Sequence, residues 1–166
     1  TRDTRDWYKI TFKDASRTFY RYGEDWKQSD VRIEEIRVKG QAAILDTVVY
    51  THYGPVVYDH SFRGDRQDAN FALKWTVHLG SNEQKTFLML NTAKSYEDYS
   101  RALDNYSAPA QNFVFASKSG DIAMRVQGKF PLKWAKQGKF LMDGADPKME
   151  WQGFIPNDQN PSTFNP

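Results

Sequence analysis

Asn112-Phe113-Val114-Phe115-Ala116, Ser117-Lys118-Ser119-Gly120-Asp121 and Ile122-Ala123-Met124-Arg125-Val126 form the stretch whose reading decides the fold. Two apolar runs of strand length flank a five-residue polar loop with Gly120 near its end. That is the pattern of a β-hairpin with a longer, glycine-containing loop. Upstream of it, Ser95 and Asp98 are spaced as a capping box, the hydroxyl accepting the N3 amide and the carboxylate reaching back. Tyr99, Ala102, Leu103 and Tyr106 follow at helical spacing as one apolar stripe, and Pro109 stops the segment.

Working outward, the first half reads as strands. Tyr8, Ile10 and Phe12 alternate with polar residues, Arg17 to Tyr22 is an aromatic-rich strand closed by Gly23, and Ile44 to Thr51 is β-branched. Val31 and Ile33 alternate until Glu34-Glu35 breaks phase, which predicts a bulge or a strand end. Asp59 to Asn70 reads as a loop. Phe71, Leu73, Trp75 and Val77 alternate as a strand, and Thr86 to Asn91 reads as a short apolar strand. From Gly128 onward Gly, Pro, Asp and Trp predict loops anchored by Trp134, Trp151 and Phe154. The expected class is α+β, mostly antiparallel β with one clear helix.

Composition narrows the function classes. Lys and Arg total 23 against 21 Asp and Glu, scattered without like-charge runs, so neither nucleic acid nor an anionic membrane is indicated as partner. The absence of cysteine excludes disulfides, thiolate metal sites and a Cys nucleophile. No apolar run approaches the roughly 18–20 residues of a membrane-spanning helix, and no stretch reads as a signal peptide. The sequence opens at Thr1-Arg2-Asp3 without Met, as a processed chain or an excised piece would.

Few polar residues stand out as chemistry. His52, His60 and His78 lack metal-ligand spacing and read as structural or surface histidines. Asn105-Tyr106-Ser107 is a glycosylation sequon falling at the predicted helix end. Thr1 has the groups of an N-terminal nucleophile, a hydroxyl and an α-amine base, but no supporting context. Asp3 and Asp6 could give two of the roughly six to eight oxygen ligands of Ca²⁺, or form a charged loop. Asn112 is either an amide donor to a developing oxyanion or a turn residue bonding local backbone.

Several segments, in order, resemble the penicillin acylase (penicillin amidase) family. Thr51-His52-Tyr53-Gly54-Pro55-Val56-Val57 is similar to its T-x-H-G-P-V-V stretch with one residue inserted, and Ala72-Leu73-Lys74-Trp75-Thr76 to A-L-R-W-T. Gln111-Asn112-Phe113-Val114-Phe115-Ala116 resembles Q-N-x-x-Y-A, and Ser119-Gly120-Asp121-Ile122 the turn D-G-N-I. Gly128 to Lys133 resembles G-x-x-P-x-R, and Trp151 to Pro156 resembles W-x-G-x-I-P, with Asn165-Pro166 matching a later N-P.

The resemblance implies that residues 1–166 are a single internal fragment of a larger β chain with the four-layer αββα sandwich of N-terminal-nucleophile hydrolases. It implies a periplasmic or secreted bacterial amidohydrolase of small acylated amines, working through a Ser supplied by another segment of the α and β chains. The fragment alone is then expected to be inactive. Asn112 takes the place of the family's oxyanion-hole Asn, and Asp3 and Asp6 that of two calcium ligands in a D-x-x-D pattern, the calcium being structural. Lys133 stands where the family has Arg, a point charge in place of a planar fork of donors. Two other readings are a stand-alone β-rich binding module with a contiguous exposed aromatic patch, and a non-catalytic family member, which Lys133 alone supports.

Overall fold

The computed structural model describes residues 3–59 and 69–166. Thr1 and His60 lie outside the described residues. The chain forms two compact units. One, the sheet unit, contains Arg5–Trp75 and Lys136–Glu150; the other, the helical unit, contains the chain through Thr4, Thr76–Ala135 and Trp151–Pro166.

The sheet unit is built on strands β1 (Arg5–Lys9), β2 (Phe19–Tyr22), β3 (Asp25–Gln28), β4 (Asp30–Ile36), β5 (Ile44–Thr51), β6 (Gly54–Tyr58) and β7 (Phe71–Trp75). β2 and β3 form a separate hairpin. The main sheet runs β10-β1-β7-β6-β5-β4, where β10 is the two-residue strand Met142–Asp143. β10 lies parallel to β1, the exception to the expected antiparallel order. Tyr8 and Ile10 are buried and Phe12 partly so, as their alternation predicts, although β1 ends at Lys9; Asp6, read as a loop or calcium carboxylate, is buried in the strand as well. Tyr8, Ile10, Tyr20, Val49, Tyr53, Val56, Ala72 and Met142 make the core, with Tyr8 and Tyr53 stacked at 3.9 Å between ring centroids.

The phase break at Glu34-Glu35 produces no bulge. β4 pairs with β5 in continuous register from Asp30↔Tyr50 to Ile36↔Ile44. All of β4 is exposed, so neither face has to be apolar and the alternation carries no burial signal. The aromatic run at Arg17 to Tyr22 enters a strand only at Phe19, because Arg17 adopts a left-handed φ of 58°.

Close packing also fixes the return segment from Lys136 to Glu150. The Gly144 amide donates to Lys9 O at 2.9 Å. A Cβ on Gly144 would lie 2.7 Å from that same oxygen and 2.8 Å from Ile10 Cδ1. Gly144→Ala is therefore expected to lower stability by about 1–3 kcal/mol through overpacking against backbone, read as a lower denaturant midpoint.

The helical unit holds α1 (Glu83–Thr92), α2 (Tyr96–Leu103), β8 (Gln111–Ala116), β9 (Ile122–Gln127) and β11 (Ser162–Phe164), the strands ordered β11-β9-β8. α1 corrects two expectations: residues 86–91 are helical, and there are two α-helices among the described residues. Asn82 caps α1 by accepting from the Lys85 amide, and Gln, Lys, Leu and Met favour the helix. Ser95 caps α2 as predicted, accepting from Asp98 N at 3.2 Å. The Asp98 carboxylate reaches one residue further back than expected, accepting from Lys94 N at 3.0 Å. Tyr99, Ala102, Leu103 and Tyr106 are buried, as their spacing predicts. The hairpin of β8 and β9 forms in the expected place, closed by Ser117 N donating to Asp121 O.

Candidate active site

Asn112 is positioned by the path from α2 into β8. Glu83 Oε1 accepts from the backbone amides of Ser107 and Ala108, at 3.2 and 3.0 Å, tying α1 to the segment before Pro109. Lys129 N donates to Ser107 O at 2.7 Å, and buried Gln127 donates through Nε2 to Tyr106 O at 2.9 Å. Gly128 lets the strand ends close: a Cβ there would sit 2.7 Å from Ala110 Cβ. β8 begins immediately afterwards, in register Gln111↔Gln127 and Asn112↔Val126.

Alternation then sets the direction of the amide. Phe113 and Phe115 face the helices, their ring centroids 4.9 Å from Tyr106 and 5.2 Å from Tyr99. Asn112 and Val114 consequently emerge on the opposite face, where both are exposed. Asn112 is thus an exposed residue carried on a paired strand. The sequon ending at Ser107 has a structural use: Asn105 Nδ2 donates to Ala102 O at 3.2 Å and Arg101 O at 3.3 Å, closing the end of α2.

Lys133 belongs to the same unit. Pro131 bridges to Phe154, and reciprocal backbone bonds join Leu132 with Gln152 and Gly153. These fix the Lys133 side chain inward, with Nζ 2.8 Å from Asp3 Oδ1 and 5.7 Å from the centroid of Trp151. Trp151 is buried, as the anchor role assigned from sequence requires.

Asp3 is exposed and paired with Lys133. Asp6 belongs to the sheet unit, buried in β1 opposite Lys74. Among the described residues no group of three or more His, Asp or Glu is arranged to hold a metal. Calcium takes about six to eight oxygens, more than Asp3 and Asp6 supply.

The sheet unit carries a cluster that sequence reading left as a structural histidine. His52 Nε2 lies 2.7 Å from Glu150 Oε1, and Nδ1 lies 2.9 Å from Tyr20 Oη. Lys74 Nζ is 3.6 Å from the other Glu150 oxygen. Burial pulls the His52 pKa below its ordinary value, with Glu150 opposing. Burial alone would raise the Glu150 carboxyl, but Tyr22, Lys74 and His52 outweigh it and hold it low. His52 and Glu150 are 98 positions apart, a separation at which no local pattern couples them.

With the geometry in place, comparison with solved structures identifies the fold. The chain is similar to a thermostable penicillin G acylase from Alcaligenes faecalis, with a TM-score of 0.82 over 99% of this chain and 29% of that one, at 24% identity. It shares that mixed α+β fold. The penicillin amidase family model matches residues 1–166, and the chain belongs to that family. Acyl-homoserine lactone acylase QuiP of Pseudomonas fluorescens Pf-5 is 29% identical over 148 residues, covering 86% of this chain and 18% of that protein. QuiP of Pseudomonas fluorescens Pf0-1 is 28% identical over 159 residues, covering 93% and 19%. The chain therefore spans about a fifth of the length of these relatives.

Proposed function

We propose that this chain is part of an acylase that hydrolyses the amide bond of small N-acylated amines, and that Asn112 supplies an oxyanion donor. The observation that carries this reading is the exposed carboxamide of Asn112 at the start of β8, in a chain matched throughout by the penicillin amidase family. The nucleophile comes from a segment outside this chain, an N-terminal Ser by resemblance to the family.

The reaction follows from those parts. The hydroxyl attacks the amide carbon, its proton passing to the adjacent amine base, and the carbonyl oxygen becomes an anion. Asn112 Nδ2 donates a hydrogen bond to that anion, and the bond strengthens as charge develops. The C–N bond breaks, the leaving amine takes the proton, and an acyl-ester remains. Water then attacks the ester, releasing the acid and restoring the hydroxyl.

Lys133 fits a positioning role better than a catalytic one. Its ammonium is a single point charge paired with Asp3, so it does not reproduce the planar donor fork of Arg. Asp3 and Asp6 serve calcium only together with oxygens from other segments of the parent. Ile33 and Leu45, each 68% exposed in the β4–β5 hairpin, support a surface that such segments cover.

The test is turnover by the full-length protein with a panel of N-acyl homoserine lactones and phenylacetyl amides, scored by amine release. Release of free amine with a pre-steady-state burst of one equivalent is the expected result. No amine from any member of the panel, with the protein folded, would overturn the reading.

A further inference from the structure

Among the described residues, strand pairing holds the return segment to the sheet at Met142 and Asp143. The rest is fastened by two backbone bonds, Gly144 N to Lys9 O at 2.9 Å and Gly23 N to Ala145 O at 2.8 Å, and by side chains. Tyr53 Oη donates to Gly144 O at 3.1 Å, and Tyr8 Oη donates to Met149 O at 2.9 Å. Within the segment itself, Gln137 Nε2 donates to Met149 O and Glu150 O at 2.8 and 3.0 Å. At its end, Glu150 meets His52, Lys74 and Tyr22. We propose that His52 and Glu150 form an acid-released latch that fastens residues 142–150 onto the sheet.

The hydrogen-bond geometry of the closed latch suits a neutral imidazole. The His52 backbone amide donates to Tyr20 Oη at 3.2 Å, so that oxygen already accepts one bond. Its own proton then has Nδ1, 2.9 Å away, as acceptor in the tautomer that carries the ring proton on Nε2. In that tautomer Nε2 donates to Glu150. The imidazole is neutral with both nitrogens satisfied.

A second ring proton would break this arrangement. Protonated Nδ1 would face the Tyr20 hydroxyl as donor to donor, and Tyr20 is 2% exposed, with little access to water for its displaced proton. The charged groups around the ring do not reverse the outcome. Among the described residues, Lys27 lies 3.4 Å from the centroid of the Tyr22 ring, which in turn meets His52 edge-on. Lys74 and Lys27 both oppose a second positive charge, while Glu150 alone favours it. Tyr8, Tyr20, Tyr22 and Tyr53 stay protonated, each pushed up chiefly by burial.

The sign of the pH dependence follows. The folded pKa of His52 lies below its unfolded value of about 6.5. The unfolded or opened form thus binds more protons between the two values. The latch is fully closed above about pH 6.5 and weakens as pH falls towards the folded pKa. Glu150, also depressed in the closed form, adds loss in the same direction below about pH 4.3.

Hydrogen exchange on the full-length protein tests this at pH 7.5 and 5.5, corrected for intrinsic exchange. Peptides spanning 142–150 are expected to lose protection several-fold, and up to about tenfold for each pH unit between the two pKa values, while β8–β9 peptides do not change. His52→Gln should make protection of 142–150 independent of pH over this range. Tyr20→Phe removes the competing hydroxyl and brings the folded pKa of His52 nearer its unfolded value, so the loss of protection between pH 7.5 and 5.5 should shrink. Unchanged protection of 142–150 in the wild type, or an unaltered pH profile in His52→Gln, would overturn the latch.

Discussion

Asn112→Ala in the full-length protein should lower kcat for amide hydrolysis by about 10²–10³-fold, equivalent to about 2.7–4 kcal/mol of transition-state stabilisation. The size of the effect follows from where the amide acts. An oxyanion exists only after attack, so a donor aimed at it is worth little in the ground state. KM should therefore move less than kcat. Stability should hardly change, because the side chain is exposed on β8 and the backbone pairing with Val126 does not involve it. Asn112→Asp separates donation from shape: it keeps the volume, loses the N–H and sets a negative charge beside the forming one, so it should be at least as damaging as Ala. Equal kcat in wild type and Asn112→Ala, with active-site titration confirming equal nucleophile content, would refute the assignment.

The parts of this fold visible in the sequence are those where one segment settles its own structure. Gly120 and two alternating runs define β8 and β9, and Ser95 with its following stripe defines α2. Where burial does not follow a local period, the reading fails. In α1 only Thr86 is buried, so Phe87-Leu88-Met89-Leu90 has no one-sided stripe and passes for a strand. Its helix is set by the Asn82 cap and by propensity. β3, Asp25–Gln28, is mostly exposed and polar, and is recognisable only as the partner of β2. β10 is too short to show any period.

The candidate site divides in the same way. Asn112 could be singled out because it precedes an apolar strand, and resemblance then separated two local readings. Its outward direction is a consequence of Phe113 and Phe115 packing on the helices, which two-residue alternation already implies. The partner of Lys133 was not legible. Asp3 is 130 positions away, and its carboxylate reads from sequence as a calcium ligand or part of a charged loop. The His52–Glu150 cluster is the extreme case: its members come from β2, the β5–β6 turn, β7 and the return segment, and only the folded sheet unit assembles them.

Asp59→Asn is expected to be the most destabilising single change in the sheet unit that removes no core volume, at about 3–5 kcal/mol. Arg17 Nη1 lies 2.6 Å from Asp59 Oδ2, and the two side chains are only 12% and 8% exposed. The guanidinium sits 5.1 Å from the centroid of the Phe12 ring, and its Nε and Nη2 find no hydrogen-bond acceptor among the described residues. Asp59 is therefore the main compensation for a charge that cannot be titrated away, since Arg stays protonated at any accessible pH. Neutralising Asp59 leaves that cation buried, and the penalty is desolvation of Arg17 more than loss of an attraction. Two comparisons check the cause. Asp30→Asn breaks the Arg32–Asp30 pair at 2.7 Å, but there the side chains are 55% and 57% exposed, so the loss should be about 0–1 kcal/mol. Combining Arg17→Met with Asp59→Leu removes both charges and should recover most of the stability lost in Asp59→Asn, because no ion is then left without water. Denaturant midpoints of the four proteins decide the matter: a double variant no more stable than Asp59→Asn would mean that the pair holds the fold by shape or by hydrogen bonding, not by balancing a buried charge.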